Sequence, residues 1–349
     1  MSNDSDPVAC AVVGLGYWGP NLVRNLHEIH RGEVALVCDT RHEALDAIGR
    51  RYPSIPRTTQ FDDVLNDDRV EAALIATPVG THWELAAAAL SAGKHCFVEK
   101  PLAATAEDAE DLISLADEEG LVLMPGHTFL YSPPVNVIGR LVQDGDLGDI
   151  YFVSSSRVNL GIHQPDASVV WDLGPHDFSI LRYWLGELPE RVAAVSRGCI
   201  IPNVADVAFV SLEFPSGTLA HVEMSWLAPS KLRRTAIVGS QKMVVYDDTS
   251  NEPVRVFDSG VMPRDPETFG EYRLTYRTGE IVSPPVDPTE PLALELQDFC
   301  RAVRDGKTPR SSAEIGLDVV RMTEAADRSL AAGGAPVLTD ASAARRAES

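Results

Sequence analysis

The stretch Val8-Ala-Cys-Ala-Val-Val13-Gly14-Leu-Gly16-Tyr17-Trp18-Gly19 decides how the rest of the chain is read. An unbroken apolar run predicts a strand covered on both faces, the environment of a parallel sheet. The glycines that follow are spaced G-x-G-x-x-G and open a helical pattern reaching about Ile29. Each has a physical task in that position: Gly14 permits a tight turn, Gly16 lets a pyrophosphate approach the backbone, and Gly19 lets the helix pack close to the strand. The unbonded N–H groups of the helix start then face the phosphates. Tyr17 and Trp18, inside the same turn, join the glycines as candidate cofactor contacts.

Outward from this turn, residues 34–38 form a second apolar run, and Asp39 ends it, 20 residues after Gly19. A carboxylate there accepts both ribose hydroxyls and repels a 2′-phosphate, so the cofactor reading is NAD ahead of NADP. Arg41 is the opposing signal, because a guanidinium can pair with that phosphate. Further apolar runs at 72–76, 95–98 and 121–124 alternate with helical patterns at 44–52, 83–92 and 107–119. That rhythm predicts a doubly wound parallel sheet, a Rossmann domain over residues 1–125.

Beyond Pro125 the pattern changes to strands at 150–158, 191–196, 207–214, 218–226, 233–239 and 242–246. Phe214-Pro-Ser-Gly217 has the turn chemistry of a hairpin between two of them. Helical patterns return at 292–304 and 315–331. Residues 126–331 therefore predict a second, α+β domain on an antiparallel or mixed sheet, with a frayed tail at 332–349.

Composition bounds the partners. The 349 residues include 30 basic and 51 acidic side chains, a formal charge of −21, which disfavours nucleic acid or an anionic membrane. The longest stretch without a charge, 120–139, is broken by Pro125, Pro133 and Pro134, and fails as a membrane span. Met1 to Pro7 lacks the features of a secretory signal, and five scattered cysteines without a C-x-x-C pair suit reduced thiols. These features predict a cytoplasmic protein with no metal site.

Only five of the basic residues are lysines, and one of them, Lys100, stands in Glu99-Lys100-Pro101 at the end of the fourth strand. Side chains at the carboxyl ends of such strands point into the ligand crevice. The plainer alternative is a surface lysine before a turn. A second constellation, Trp171-Asp172-Leu-Gly-Pro-His176-Asp177, places an acid and a histidine four apart, on one face if the segment is helical. Pro175 and the apolar pattern after it predict a helix beginning there; the plainer alternative is a helix start with a satisfied histidine.

Taken together, Gly14-x-Gly16-x-Trp18-Gly19, Ala76-Thr77-Pro78 followed by His82, Glu99-Lys100-Pro101 and Asp172-x-x-x-His176 resemble the Gfo/Idh/MocA oxidoreductases in order and approximate spacing, over nearly the whole chain. The resemblance implies a Rossmann domain, a second domain on a largely antiparallel open sheet, and a homodimer or homotetramer through that sheet. It also implies hydride transfer at a carbinol of a sugar or cyclitol substrate. Lys100 matches the lysine contacting substrate and nicotinamide, His176 the acid/base, and Asp172 its polar neighbour. Thr77, Pro78 and His82 match the loop beside the nicotinamide, and Glu99 is grouped with the cofactor contacts. Two positions depart: Leu130 stands where many members have an arginine, and Val79 follows Pro78 where asparagine is common.

Ser156-Arg157-Val-Asn159-Leu-Gly161 is similar to the branch acting on nucleotide-activated or amino sugars, with Arg157 and Asn159 as candidate substrate contacts. The expected function is thus an NAD-dependent dehydrogenase or reductase of a sugar-like ring carbinol. An inositol or free-sugar dehydrogenase and a non-catalytic NAD-binding regulator are the alternatives. Histidine suits proton transfer near neutrality, while a desolvated Lys100 is the other candidate base.

Overall fold

A computed structural model describes residues 6–161, 163, 167–264 and 273–340. The chain divides into two compact units, one of Met1–Tyr131 with Thr289–Val320, the other of Ser132–Pro288 with Arg321–Ser349. The contiguous division at residue 125 therefore misses a return of the chain: residues 289–320 join the first unit.

In the first unit, β1 (Val8–Val13), α1 (Gly19–Glu28), β2 (Gly32–Cys38), α2 (His42–Arg51), β3 (Arg57–Thr58), α3 (Phe61–Asn66), β4 (Ala72–Ile75), α4 (His82–Ser91), β5 (His95–Glu99), α5 (Ala106–Glu119) and β6 (Leu123–Gly126) alternate strand and helix. The six strands are ordered β3-β2-β1-β4-β5-β6, and every pairing is parallel. The order reverses between β1 and β4, which opens a crevice at their carboxyl ends. All four residues of β4 have 0% exposure, which is why its sequence does not alternate. On one face Ile75, Val98, Leu90 and Leu112 pack together. On the other, Phe97 meets Phe299 edge to face, 5.8 Å between ring centres. The short β3 at the sheet edge has no apolar run to announce it.

The second unit contains α6 (Pro133–Gln143), β7 (Ile150–Leu160), α7 (Val169–Leu185), β8 (Arg191–Arg197), β9 (Val207–Glu213), β10 (Leu219–Ser225), β11 (Leu227–Gly239), β12 (Met243–Asp247), β13 (Val254–Arg264) and β14 (Arg273–Val282). Then follow α8 (Pro291–Asp305), which lies in the first unit, α9 (Ala313–Ala331), and β15 (Val337–Leu338). The nine strands are ordered β14-β13-β12-β11-β7-β10-β9-β8-β15. Among the described residues only β7 and β10 pair in parallel, so the sheet is mixed but mostly antiparallel. The Phe214 to Gly217 turn does join β9 to β10, with Gly217 at φ +86°.

Three expectations change. β13 and β14 were not anticipated, since their residues lack a sustained apolar alternation. Part of the expected frayed tail is ordered: Val337 and Leu338 pair with Val192 and Arg191, while residues 341–349 lie outside the described set. The helix carrying Asp172 and His176 begins at Val169 behind Ser168, so Pro175 is interior to it. Burial of Phe178, Ile180, Leu181 and Trp184 offsets the one backbone hydrogen bond that a proline cannot donate. Among the described residues, no helix is long and apolar enough to cross a membrane.

Candidate active site

In the first unit the site is built where β1, β2, β4 and β5 end. Gly14 adopts φ +88°, and a Cβ added there would lie 2.6 Å from the Ala76 carbonyl oxygen, so this turn excludes every other residue type. A Cβ on Gly19 would strike the Gly14 carbonyl, which explains the close start of α1 against β1. Around Gly16 nothing lies within 4 Å of a Cβ position, leaving that backbone open to a phosphate. Tyr17 is 82% exposed and stands edge-on to Trp18, at 5.7 Å. These residues fit a dinucleotide: a turn only glycine can make, open backbone beyond it, and a carboxylate at the end of β2.

That carboxylate, Asp39, is buried and already engaged. Its Oδ2 accepts from the Leu15 N–H at 2.7 Å and from Arg41 Nη2 at 3.0 Å, and its Oδ1 accepts from the Arg41 N–H at 2.8 Å and from Arg41 Nε at 3.0 Å. Burial pushes its pKa up, but the hydrogen bonds from Arg41 and Leu15 outweigh burial and hold it below the usual carboxylate range. Arg41, read from sequence as a competitor of Asp39, is in the structure its ion-pair partner.

The loop after β4 places Thr77 half-buried and Pro78 exposed. His82, expected to contact the cofactor, has 1% exposure, and its ring nitrogens lie 2.9 Å from the carbonyl oxygens of Thr77 and Pro101. It ties the β4 loop to the β5 loop, so its place is in positioning both, and the expectation of a cofactor contact is corrected. Lys100 is half-buried at the end of β5, and its backbone N–H donates to Glu99 Oε2 at 3.3 Å. Glu99 itself is buried, which pushes its pKa up to about 7 against the pull of Lys100.

In the second unit, Asp172 and His176 do share one face of α7, both half-buried. Asp172 Oδ2 accepts from the indole N–H of the buried Trp226 at 3.0 Å. Arg157 overturns its expectation as a substrate contact. It is 4% exposed and ion-paired through Nε to Asp177, whose other oxygen accepts from Ser155 at 2.7 Å. A guanidinium on the covered face of the sheet needs a buried partner, and α7 supplies it. Asn159, two residues on along the same face, stays half-buried.

Sequence reasoning missed a polar cluster in the first unit. Thr128 donates to Glu295 Oε2 at 2.7 Å, and Tyr131 donates to Asp298 Oδ2 at 2.7 Å. His127 and Glu295 have 1% and 0% exposure. A signal was present: Glu295 falls among Leu292, Leu296 and Phe299, the spacing of the apolar stripe of α8, where an acid is out of place. At the Leu130 departure the side chain is fully buried.

Comparisons with known proteins bear on the same elements. Residues 8–127 match the model of the oxidoreductase family with an NAD-binding Rossmann fold, and residues 135–245 match the GFO/IDH/MocA C-terminal domain. The chain is 25% identical over 316 residues to scyllo-inositol 2-dehydrogenase (NAD(+)) of Bacillus subtilis (strain 168), covering 86% of this chain and 88% of that one. It is 28% identical over 288 residues to D-xylose 1-dehydrogenase (NADP(+)) 2 of Haloferax volcanii, covering 79% and 82%. Among solved structures it is similar to GenD2 from gentamicin A biosynthesis in complex with NAD, with TM-score 0.81, 26% identity, and 97% and 98% of the two chains covered. Two family models in tandem, on the two units that carry the glycine turn and the Asp172-His176 helix, make this chain an oxidoreductase of the Gfo/Idh/MocA family with an NAD-binding Rossmann domain.

Proposed function

We propose that this chain exchanges a hydride between C4 of NAD(H) and a ring carbinol of a sugar or cyclitol. The observation that carries the reading is one sheet edge bearing the open glycine turn, the Asp39 carboxylate and Lys100. NAD supplies the two-electron carrier, and the chain binds it, orients the substrate and handles the proton. Leu15, Arg41 and the Gly14 turn fix Asp39 where ribose hydroxyls meet it. Thr77 and Pro78 border the nicotinamide. Lys100 holds and polarises the substrate oxygen, and His176 takes the hydroxyl proton as the carbinol is oxidised, with Asp172 keeping it company on α7. In the converse assignment Lys100 accepts the proton and His176 orients the substrate; the pH profiles of variants at the two positions separate these.

The activities named for the inositol and xylose relatives support a polyol ring. Because Arg157 is held inside by Asp177, recognition of a nucleotide's phosphates from β7 loses its main residue, and free sugars and cyclitols come first. Single-turnover reduction of NAD by cyclitols, free sugars and nucleotide sugars is the test. At least one ring carbinol is expected to reduce NAD, and Lys100→Met and His176→Asn each to slow the step by about 10²- to 10⁴-fold. Near-native turnover in either variant removes that residue from the mechanism. NAD bound without transfer to any carbinol favours the regulator alternative. The exposed face of the nine-stranded sheet, with Phe152, Val195, Phe209 and Leu219, supports assembly as a homodimer or homotetramer.

A further inference from the structure

Behind Lys100 lies a group of ionisable side chains that binding and hydride exchange leave unused. Glu99, from the end of β5, is 6% exposed; Glu295, from α8, is 0% exposed; His127, from the segment after β6, is 1% exposed. The elements converge by construction: Glu99 is in register with Gly126, the residue before His127, and Thr128, the residue after it, donates to Glu295. Within this cluster, four atoms have no hydrogen-bond partner among the described residues: Glu99 Oε1, Glu295 Oε1, and both ring nitrogens of His127. Buried polar atoms are nearly always paired. Four unpaired ones on three converging side chains are a concentration that packing alone does not account for.

We propose that Glu99 and Glu295, with His127 beside them, form a buried proton store whose occupancy follows the charge of the nicotinamide ring. The proposal deepens the NAD reading above and rests on it.

The electrostatics give the store its direction. Glu99 faces Lys100 at its own strand end and Glu295 from α8. Glu295 faces Glu99 and, on its own helix, Asp298, whose carboxylate is taken up by Tyr131, the Arg310 N–H and Arg301. Burial, then the charge of Glu99, pushes Glu295 well above the usual carboxylate range. Burial also pushes His127 down to about 3, with Lys100 adding to the effect, so His127 is neutral and offers one donor and one acceptor. Glu99, pushed up to about 7, is the member that titrates.

A cationic ring at the carboxyl end of β5 favours Glu99 as carboxylate, and a neutral reduced ring favours it protonated. Oxidation of a carbinol breaks its C–H bond with the electron pair going to the ring carbon, and breaks its O–H bond with the proton going to the protein. His176 receives that proton and returns it to solvent, while the Glu99 carboxylate takes up one proton from solvent as the ring loses its positive charge, so the net charge of the site is conserved through the reaction. Returning the Glu99 proton to solvent then accompanies exchange of reduced for oxidised cofactor.

Calorimetric titration of the full chain at pH 7, in buffers of different ionisation enthalpy, counts the protons. NAD⁺ is expected to release, and NADH to take up, about half a proton each, because a group with its pKa near 7 is half occupied at that pH. The ratio of NAD⁺ to NADH affinity is expected to rise with pH, by up to about tenfold per unit at its steepest. Glu99→Gln is expected to abolish both proton counts. Glu295→Gln, which retains the Thr128 hydrogen bond and removes no charge that raises Glu99, is expected to leave the transition near pH 7. If NAD⁺ and NADH bind the wild-type chain with equal proton counts, or if Glu99→Gln leaves the counts unchanged, the proposal is overturned while the NAD reading stands. If neither cofactor binds, the NAD reading falls and the proposal with it.

Discussion

Glu99 and Asp39 are both buried carboxyl groups at strand ends of one sheet, yet their surroundings drive them in opposite directions. Asp39 accepts hydrogen bonds from Leu15 and Arg41, which favour its charged form. Glu99 has one weak bond from the Lys100 N–H and is otherwise desolvated. The consequence for stability has opposite signs. For Asp39, whose folded pKa is depressed, the stabilisation is present above the ordinary carboxylate pKa and lost as pH falls through the folded value. For Glu99, whose folded pKa is raised to about 7, the folded state holds the proton more tightly than the unfolded chain. Stability is therefore lost as pH rises from the ordinary carboxylate pKa through 7. In urea unfolding of the cofactor-free chain, Glu99→Gln is expected to gain on the wild type between pH 4 and 8 by up to about 3 kcal/mol. A gap that does not grow with pH would show that Glu99 is solvated.

At the scale of elements, α7 does two jobs with neighbouring residues. His176 and Asp172 stand on one face, while Asp177, one residue past His176, turns into the unit and pairs with Arg157 on β7. The ion pair joins the helix to the sheet at the position that fixes where His176 projects. Removing one member of a buried pair costs about 3–5 kcal/mol, because the remaining charge loses its partner in a medium of low polarisability. Asp177→Ala is expected to lower the unfolding free energy by about that amount in urea melts. A loss under about 1 kcal/mol would mean that water reaches Arg157.

For the molecule as a whole, the nine-stranded sheet presents two unlike faces. Ala208, Val210, Leu212, Val222 and Met224 are buried beneath α7, while the alternate positions Phe209 and Leu219 are 40% and 56% exposed. The register sets Phe209 opposite Val195 and Leu219 opposite Phe152, so the exposed apolar side chains lie side by side. A patch of that kind on a polar chain is what a symmetric interface covers. Sedimentation of the wild type is expected to give a dimer or tetramer, and Phe209→Glu with Leu219→Glu to give monomer with the same circular dichroism. An unchanged mass would place any interface elsewhere.

Which parts of this were legible in the sequence depended on how far apart the interacting residues lie. The Gly14 turn, the buried strands, the Asp39 carboxylate after β2 and the i, i+4 placement of Asp172 and His176 follow from near neighbours, and periodicity and spacing record them. The start of α7 was misplaced because Pro175 outweighed Ser168 as a local signal, although the apolar burial that tolerates an interior proline is tertiary. Arg157, His82 and Glu295 could not be assigned locally. Their partners are Asp177 on the helix packed against the sheet, the Thr77 and Pro101 carbonyls of two loops, and Thr128, 167 residues away in the chain. By itself, the sequence determined a dinucleotide-binding sheet followed by a mixed-sheet unit. Only the tertiary structure decided which charges are buried and what each one faces, because desolvation and Coulomb energy depend on distance in space and are written in no short stretch of the chain.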